Sequence, residues 1–398
     1  MIGAMTSGGA LEGVRVLEAG LLVQGPQAAA LLAQFGADVI KVELPDVGDQ
    51  ARWLPVAPDD LRSAYFTACN RGKRSVTVNL RTGDGQAVFR RLAARADVVI
   101  SNFKPGTMDD WNLGYEALAA DNPGLIYATG SAFGPLGPDA DREGADLSGQ
   151  AAGGLISATG RDDGEPTPVA ATIADHLASQ HLAAGILAAL IARGRTGRGQ
   201  RVDVSLLGSQ IWGQASEYTA YLLSGRVPGR PNRGHPLIPG LYGIMPTADG
   251  WLAIVGVQPA KRSAFYEAIG RPDLTDDPRF ATPLLGPEAK AALFELLAEV
   301  FVTRTTEEWC QILEAAGQRF APVRDYAAVV DDPQVWANGY LARDGDDRAI
   351  VGLPIAMSDT PALVGGSPPT LGADTDEILA EVGYDEGEII ALRVAGDV

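Results

Sequence analysis

Histidine is scarce in this chain, which has three such residues, His176, His181 and His235, among 398. Because His176 and His181 are five residues apart, they do not share one face of a helix. The chain also has neither an HExxH motif nor a Cys/His cluster with zinc-ligand spacing. We therefore predict no metal site, and we expect His181, which lies in an apolar stretch, to be a packed side chain.

Cysteine and long hydrophobic runs are also rare. The two cysteines, Cys69 and Cys310, imply no disulfide framework, as expected for a reducing cytoplasm. The longest apolar run, residues 182–192, is too short to span a bilayer. The first residues do not combine a basic segment with a long apolar one, so a secretory signal is not indicated. These features predict a cytoplasmic protein.

Positive charge is in deficit, with 32 Lys and Arg against 50 Asp and Glu and a net charge of −18. Such a field repels nucleic acids and anionic membranes, and we expect neither as a partner. A polyanionic small molecule would need a local basic patch to overcome the same field. The candidate basic residues are Arg71, Lys73 and Arg74 in one run, and Lys41, Arg81 and Lys104 elsewhere.

Two common catalytic motifs are missing. The segment around Ser131 reads TGSAFG, which lacks the GxSxG of a nucleophile elbow. Residues 19–28, AGLLVQGPQA, follow a predicted strand, where a nicotinamide-binding fold has GxGxxG. Glu43, at the end of the next predicted strand, is placed to hold a ribose. Because the phosphate loop does not match, we disfavour a dehydrogenase.

Short apolar runs alternate with helical patterns in the first third of the chain. This alternation predicts an α/β fold with a parallel sheet covered by helices on both faces. Ligands in such sheets bind beyond the carboxyl ends of the strands. At 398 residues the chain also exceeds what one hydrophobic core usually serves, which predicts two domains.

The second half of the chain has a different character. Residues 224–240 are rich in Gly and Pro and predict an irregular connection, followed by two strands about an Asp-Gly turn at 249–250 and then by helices. We therefore predict a large domain over residues 1–222, a smaller α+β domain over 223–325 and a loop-rich C-terminal segment over 326–398.

The most informative segment is residues 171–207, where one acid, Asp175, opens an apolar helix. Asp is a preferred N-cap, so we expect Asp175 to cap this helix and to stay ionised at neutral pH. Gly194 is the expected end of the helix, with Arg193 complementing the dipole. From these residues alone, Asp175 is a structural cap, the neighbour of a bound anion or a nucleophile.

Motifs in one consistent order extend over nearly the whole chain. In residues 171–207 the acid is followed by ILAAL, RTGRGQ and VDVSLL. The other motifs are LEGVRVLE (11–18), FGADVIKVELPDVGDQAR (35–52), NRGKRSVTVNL (70–80), SNFKPGTMDDWNLGY (101–115) and LGADTDEILAEVGYDEGEI (371–389). Together they resemble the family III CoA-transferases, which include formyl-CoA and carnitine CoA-transferases and α-methylacyl-CoA racemase.

The resemblance implies a Rossmann-like sheet domain plus a smaller α+β domain, with residues 326–398 returning to the large domain. It implies a homodimer whose two subunits are interlocked. It also implies that coenzyme A and acyl-CoA are substrates, that a free carboxylic acid is the second substrate, and that no cofactor is permanently bound.

The resemblance further implies roles for two acids. Asp175 corresponds to the nucleophile of the family, which forms a mixed anhydride with the acyl group and then an aspartyl-CoA thioester, from which CoA passes to the acceptor acid. Asp146, in the segment EGADLSGQAAGG (143–154), corresponds to an acid that lines the active site of the family.

Contacts to CoA are expected in three loops. SNFKPG (101–106) follows a predicted strand and resembles the family's loop for the adenine and ribose phosphate, whereas the other two loops lie after neighbouring strands. The expected contacts are Asn102, Phe103 and Lys104, then Val78, Asn79 and Arg81, and Gln24.

Two alternative functions stay open. Racemases of the family have a histidine immediately before the position of Asp146, and this chain has Ala145 there. Because removal of an α-proton needs a base on each face of the carbon, an acyl-CoA racemase or epimerase is disfavoured. The other alternative is a CoA-binding protein without catalysis. The identity of both acids is open, as is whether His176 or the basic segment 230–235 contacts substrate.

Overall fold

The structure, a computed structural model, describes residues 8–230, 232–238, 240–280, 285–363 and 366–398. Its strands, in chain order, are β1 (Arg15–Glu18), β2 (Asp38–Glu43), β3 (Arg74–Thr77), β4 (Val98–Ser101), β5 (Ile126–Ser131), β6 (Arg201–Ser205), β7 (Tyr242–Pro246), β8 (Trp251–Val255), β9 (Phe320–Pro322), β10 (Leu341–Arg343) and β11 (Ala349–Val351).

The helices, in chain order, are α1 (Gln24–Gln34), α2 (Ala64–Asn70), α3 (Gly83–Ala93), α4 (Thr107–Asp110), α5 (Tyr115–Asp121), α6 (Asp146–Ala152), α7 (Leu155–Ala158), α8 (Ile173–Thr196), α9 (Leu206–Gly213), α10 (Ala215–Ser224), α11 (Arg262–Ala268), α12 (Pro287–Phe301), α13 (Thr306–Ala315), α14 (Tyr326–Val330), α15 (Pro333–Ala337), α16 (Thr375–Glu381) and α17 (Glu386–Ala395).

These elements form two compact units. As far as they are described, the larger comprises Met1–Gly154, Val169–Gly213 and Pro333–Val398, and the smaller comprises Leu155–Pro168 and Gln214–Asp332. The boundaries of these units differ from the domain boundaries expected from composition. Helical periodicity indicates that a helix has a buried face, but it does not indicate in which of the two cores that face is buried.

The larger unit is built on a six-stranded sheet with the order β3-β2-β1-β4-β5-β6. All five strand pairs are parallel, which confirms the predicted parallel α/β sheet. The strand order reverses between β1 and β4, so the loops that follow these two strands face each other at the carboxyl edge. Open parallel sheets bind ligands at this kind of switch point.

Apolar side chains cover both faces of this sheet. On one face, a core that includes Phe89, Leu113 and Ile378 packs around α3 and α16. On the other, Leu32, Ile100 and further buried residues pack α1 and α8 against the strands. Strands buried on both faces need continuous apolar runs, and β4 (VVIS) is fully buried along its length.

Helix α8 begins and ends at positions that differ from the predicted ones. Its N-cap is Thr172, whose side chain makes no capping hydrogen bond, so Asp175 lies inside the first turn and the prediction that it caps the helix is wrong. The helix also continues past Gly194 to Thr196, and Gly197 ends it in the left-handed conformation with φ of +70°.

By length and apolar composition alone, α8 could cross a membrane. In the larger unit it packs on the sheet, where Leu182, Ala183 and Ile186 are fully buried. This packing accounts for the apolar side chains on the buried face of α8.

The smaller unit has its own sheet and its own core. Strands β7, β8 and β9 pair antiparallel in that order. The core is rich in aromatic side chains, and Trp309, which is 2 % exposed, donates its indole N–H to the Phe301 carbonyl at 2.7 Å. Because buried indoles need a hydrogen-bond partner, this bond fixes α13 against α12.

Two glycines near the end of α8 provide a matched test of this geometry. A Cβ at Gly194 would meet no atom within 4 Å, so Gly194→Ala should raise the free energy of unfolding by about 0.5–1 kcal/mol. A Cβ at Gly199 would lie 1.9 Å from the Leu125 carbonyl oxygen, so Gly199→Ala should lower it by about 1–3 kcal/mol. Urea unfolding of both variants measures the difference, and a stabilised Gly199→Ala variant would contradict the packing described here.

Candidate active site

The N-terminus of α8 is capped by a side chain from another helix. Asp146, the first residue of α6, accepts the Ala174 N–H at 2.7 Å and the Asp175 N–H at 3.2 Å through its Oδ1 atom. The first N–H groups of a helix have no partner inside the helix, and a carboxylate near them is favoured by the helix dipole. Asp146 thus caps the N-terminus of α8, the role that the sequence analysis predicted for Asp175.

Gln150 fixes both Asp146 and the segment that leads into α8. It is 1 % exposed, and its Nε2 atom donates to Asp146 Oδ2 at 2.7 Å. The same amide donates to the carbonyls of Val169 and Ala171, and its oxygen accepts the Val169 N–H. Every polar atom of this buried side chain is therefore used to join α6 to the start of α8.

The Asp175 side chain is half-buried on the first turn of α8, and its carboxyl oxygens accept no hydrogen bond from the described residues. Burial, and then the negative charge of Asp146, raise the pKa of Asp175 from 3.8 to about 7. Burial and a like charge therefore oppose the helix dipole, so the helix terminus does not keep Asp175 fully ionised at neutral pH as expected.

A second polar group adjoins Asp175 on α8. The His176 Nδ1 atom is hydrogen-bonded to the side-chain oxygen of Gln27 on α1, and the same oxygen accepts the Ser179 hydroxyl at 2.9 Å. Burial lowers the pKa of His176, against an opposing effect of Asp146. Sequence reasoning missed Gln27, although its place three residues after Gln24 on one helix face was a usable signal.

The position of His181 agrees with the packing role predicted for it. His181 Nδ1 is 2.9 Å from the Ser209 hydroxyl, which ties α8 to α9. In the smaller unit, His235 pairs with Glu217 at 3.2 Å, and Arg230 donates to the carbonyls of Gly164 and Glu165. These polar groups of His235 and Arg230 thus have partners within their own unit.

The loop between β1 and α1, residues 19–23, lies at the switch point of the sheet. Asn102, after β4, accepts the Leu21 N–H at 2.7 Å and donates to the Leu21 carbonyl at 2.9 Å. Its amide therefore joins the two loops. Gln24, at the start of α1, is 4 % exposed and donates to the Ser131 carbonyl at the end of β5 at 3.4 Å.

The loop after β4 borders a cavity that begins at the carboxyl end of β4 and runs along β5 to the first residues of β6. Its wall includes Phe103, Lys104 and Gly130 together with Arg201 and Asp203. Phe103 packs edge-on against Trp111 with ring centroids 5.6 Å apart, and Lys104 is exposed. An aromatic ring beside an exposed ammonium group has the chemistry to contact a nucleotide.

The predicted contacts after β3 lie on the same sheet edge but farther away. β2 and β1 separate β3 from β4, which puts the two loops about 14 Å apart at the usual strand spacing. Val78 is 1 % exposed, and the Asn79 N–H donates to the Asp397 carbonyl at 2.7 Å. Arg81 is exposed. These backbone contacts tie the end of β3 to the last residues of the chain.

The candidate basic patch is largely neutralised by carboxylates. Lys41 and Lys73 are buried and both pair with Glu18, and Arg74 pairs with Asp38 and Glu381. Among the six candidates, Arg81 and Lys104 are exposed. Burial also raises the pKa of the neighbouring Cys69 thiol to about 11, which makes this cysteine unreactive at neutral pH.

Within the part of the chain that the structure describes, no group of three or more His, Cys, Asp or Glu side chains could hold a metal ion. The titratable groups gathered at the site are Asp146, Asp175 and His176. Two carboxylates, one of them with a pKa near neutrality, are suited to nucleophilic or proton-transfer chemistry on an activated carbonyl.

Comparison with known proteins identifies the chain. The model of CoA-transferase family III matches residues 11–375. This protein therefore belongs to the family III CoA-transferases and is an enzyme that moves CoA from an acyl-CoA thioester to a free carboxylate, which confirms the predicted family and function.

Relatives match along nearly the full chain. A succinate–glutarate CoA-transferase from Agrobacterium fabrum is 36% identical over 382 residues, covering 94% of this chain and 95% of the relative. A succinyl-CoA:mesaconate CoA-transferase from Haloarcula marismortui is 37% identical over 396 residues, covering 95% and 98%. The crystal structure of a CAIB/BAIF family protein from Brucella suis has 35% identity and a TM-score of 0.84, covering 95% of this chain and 100% of that one.

The raised pKa of Asp175 has a consequence for stability. Between about pH 4 and pH 7 the unfolded chain releases the Asp175 proton first, so this group destabilises the folded state as the pH rises. We expect Asp175→Asn to raise the free energy of unfolding at pH 8 by on the order of 2 kcal/mol, with the gain vanishing toward pH 4.

The matched control is Asp163→Asn. A hydrogen bond from Arg161 lowers the pKa of Asp163, which is exposed, so this variant should show no gain at pH 8. Urea unfolding at pH 4, 6 and 8 measures both variants. A gain for Asp175→Asn that is the same at all three pH values would contradict the raised pKa.

Proposed function

We propose that Asp175 carries the acyl group and then CoA during transfer. The observation that carries this proposal is the Asp175 carboxyl itself: it is half-buried at a helix N-terminus, free of hydrogen bonds from the described residues and adjacent to Asp146. A structural acid in such a place normally caps its own helix, whereas here Asp146 takes the N–H groups and leaves Asp175 unused.

The chemistry follows from what a carboxylate can do. Asp175 Oδ attacks the thioester carbonyl and expels CoA thiolate, which forms a mixed anhydride between the donor acid and Asp175. The thiolate then attacks the Asp175 carbonyl and releases the donor acid. The acceptor carboxylate attacks the resulting aspartyl-CoA thioester and expels the thiolate, which finally attacks the acceptor carbonyl and frees Asp175.

Each step exchanges one activated acyl group for another, so no net activation is needed. Carboxylate and thiolate are already anionic nucleophiles, and no general base takes part. With its pKa raised to about 7, Asp175 is present in both the protonated and the ionised form near neutral pH, and its ionised form is the attacking one. The same partial burial makes the carboxylate poorly hydrated, which favours attack.

Asp146 is proposed as a positioning residue for Asp175. Its Oδ1 atom binds the backbone N–H of Asp175, and its charge acts on the Asp175 carboxyl. The racemase alternative has less support, because the residue before Asp146 is the exposed Ala145, which cannot exchange a proton with a substrate.

CoA is proposed to bind along the carboxyl edge of the sheet. Phe103 and Lys104 border the cavity that begins at the carboxyl end of β4, and they would contact the nucleotide. Asn102 and Gln24 hold loops there through backbone contacts, while Val78, Asn79 and Arg81 would meet only a ligand that extends to β3. No permanently bound cofactor is proposed.

Both acids are proposed to be dicarboxylic. The relatives described above are named for succinate, glutarate and mesaconate, and each of these acids has two carboxyl groups. With a net charge of −18, this chain gains nothing from long-range attraction of such acids, so recognition must be local.

The protein is further proposed to be a cytoplasmic homodimer with interlocked subunits. Large apolar side chains on the larger unit remain exposed, among them Leu147, Ile191 and Trp212 at 58%, 70% and 72%. A partner could cover such side chains, and a second copy of the same chain is the simplest one.

Loss of turnover in Asp175→Asn tests the proposed nucleophile. The amide cannot attack the thioester, so we expect kcat to fall by at least about 10³-fold while CoA binding is retained. Asp163→Asn should keep full activity. In the wild-type enzyme, donor acyl-CoA followed by hydroxylamine should convert Asp175 to a hydroxamate that peptide mass mapping detects. An active enzyme in which Asp175 stays unmodified would contradict the covalent route.

A panel of acids tests the proposed substrate class. With succinyl-CoA as donor, dicarboxylates of four to six carbons should be converted at least about tenfold faster than monocarboxylates of equal length, because a site built for two carboxylates rejects an acid that lacks one of them. Mass spectrometry of the CoA esters measures the products. Equal rates for both classes would overturn the dicarboxylate assignment, and solvent deuterium at the α-carbon without transfer would identify a racemase.

A further inference from the structure

Four charged side chains are buried beneath the loop of residues 19–23, and the transfer chemistry uses none of them. Glu18, Lys41 and Asp49 are 0 % exposed, and Lys73 is 5 % exposed. Lys41 lies 2.8 Å from Asp49 and 3.3 Å from Glu18, and Lys73 lies 3.0 Å from Glu18. We call these four residues the buried charge cluster.

Each member of the cluster also binds backbone in or beside the loop. Glu18 accepts the Gly20 N–H at 2.6 Å, and Lys41 donates to the Gly20 carbonyl at 3.0 Å. Asp49 accepts the Leu22 N–H at 3.0 Å. Lys73 donates to the Pro26 carbonyl, in the first turn of α1, at 2.8 Å.

The loop held in this way is strained at one residue. Leu22 has a φ of +63°. Residues other than Gly adopt this left-handed backbone conformation only when surrounding bonds enforce it. The hydrogen bond from the Leu22 N–H to Asp49 and the hydrogen bond from the Leu21 N–H to Asn102 enforce this conformation. Buried ion clusters are weak contributors to stability, because desolvation offsets their attraction.

The strained loop leads directly to residues at the site. It ends at α1, where Gln24 reaches the Ser131 carbonyl and Gln27 binds His176, the neighbour of Asp175. A change in the path of residues 19–23 would therefore move the start of α1 relative to α8. Small displacements of groups around a reacting atom have large effects on rate.

We propose that the buried charge cluster is a positioning device for the active site: it holds Leu22 in its left-handed conformation and thereby sets the start of α1 against Asp175. The inference deepens the proposed function and rests on it for its rate measurements. It assigns to Glu18, Lys41, Asp49 and Lys73 a role in turnover that acts through the loop and involves no contact with substrate.

Asp49 is the member to vary, because it binds both Lys41 and Leu22. In Asp49→Ala the Leu22 N–H loses its partner, and we expect kcat per active site to fall at least about tenfold. Asp49→Asn keeps an oxygen for Leu22 and should lose less than Asp49→Ala. The control is Arg74→Gln, which breaks an ion pair at the amino ends of the strands and should leave kcat unchanged.

The decisive variant is Asp49→Ala combined with Leu22→Gly. Because glycine adopts a positive φ without restraint, the double variant should recover part of the kcat that Asp49→Ala loses. The concentration of active sites is counted by hydroxylamine trapping, and folding is followed by urea unfolding. A merely structural cluster would lower the unfolding midpoint and the number of active sites but leave kcat per site unchanged, which would overturn the proposal.

A second pair of variants keeps the test decisive if Asp49→Ala does not fold. Leu22→Val adds strain at the same backbone conformation and should lower kcat, whereas Leu22→Gly alone should not. Equal kcat for Leu22→Val and wild type would overturn the positioning role. An active wild-type enzyme in which hydroxylamine leaves Asp175 unmodified would instead contradict the proposed function, so the two failures are distinguishable.

Discussion

The site depends on the two hydrogen bonds that Asp146 Oδ1 accepts from the N–H groups of Ala174 and Asp175. They satisfy the start of a helix of 24 residues without using a side chain of that helix. Burial raises the pKa of Asp175, and the charge of the same carboxylate raises it further. Asp146 therefore positions the backbone of Asp175 and adds to the pKa shift that burial causes, and Gln150 in turn holds Asp146 in place.

Much of the fold follows from local sequence. The alternation of apolar strands with helical patterns led to the parallel sheet, and the ordered motifs led to the family. The position of Asp175 near the start of an apolar helix was also predicted, whereas its role came from the family resemblance and is a proposal. The strand and helix patterns are local or repeated along the chain, so periodicity reveals them.

The features that sequence reasoning missed are long-range pairings. Asp146 accepts hydrogen bonds from N–H groups that lie 28 and 29 residues later in the sequence, and Asn102 is hydrogen-bonded to a backbone group 81 residues away in the sequence. Neither distance leaves a periodic signal. The end of α8 was misplaced for a different reason: both Gly194 and Gly197 suit a helix terminus, and only the backbone conformation distinguishes them.

The position of Cys69 gives this protein a built-in reporter. The thiol is 1 % exposed beside Lys73, and its pKa of about 11 keeps it protonated. A thiol reagent reaches it only when the surrounding helix and loop open. The rate of alkylation of the Cys69 sulfur thus measures how often the region beneath the switch point opens in solution. Cys310, which is less buried, reports the reactivity of the reagent in the same sample.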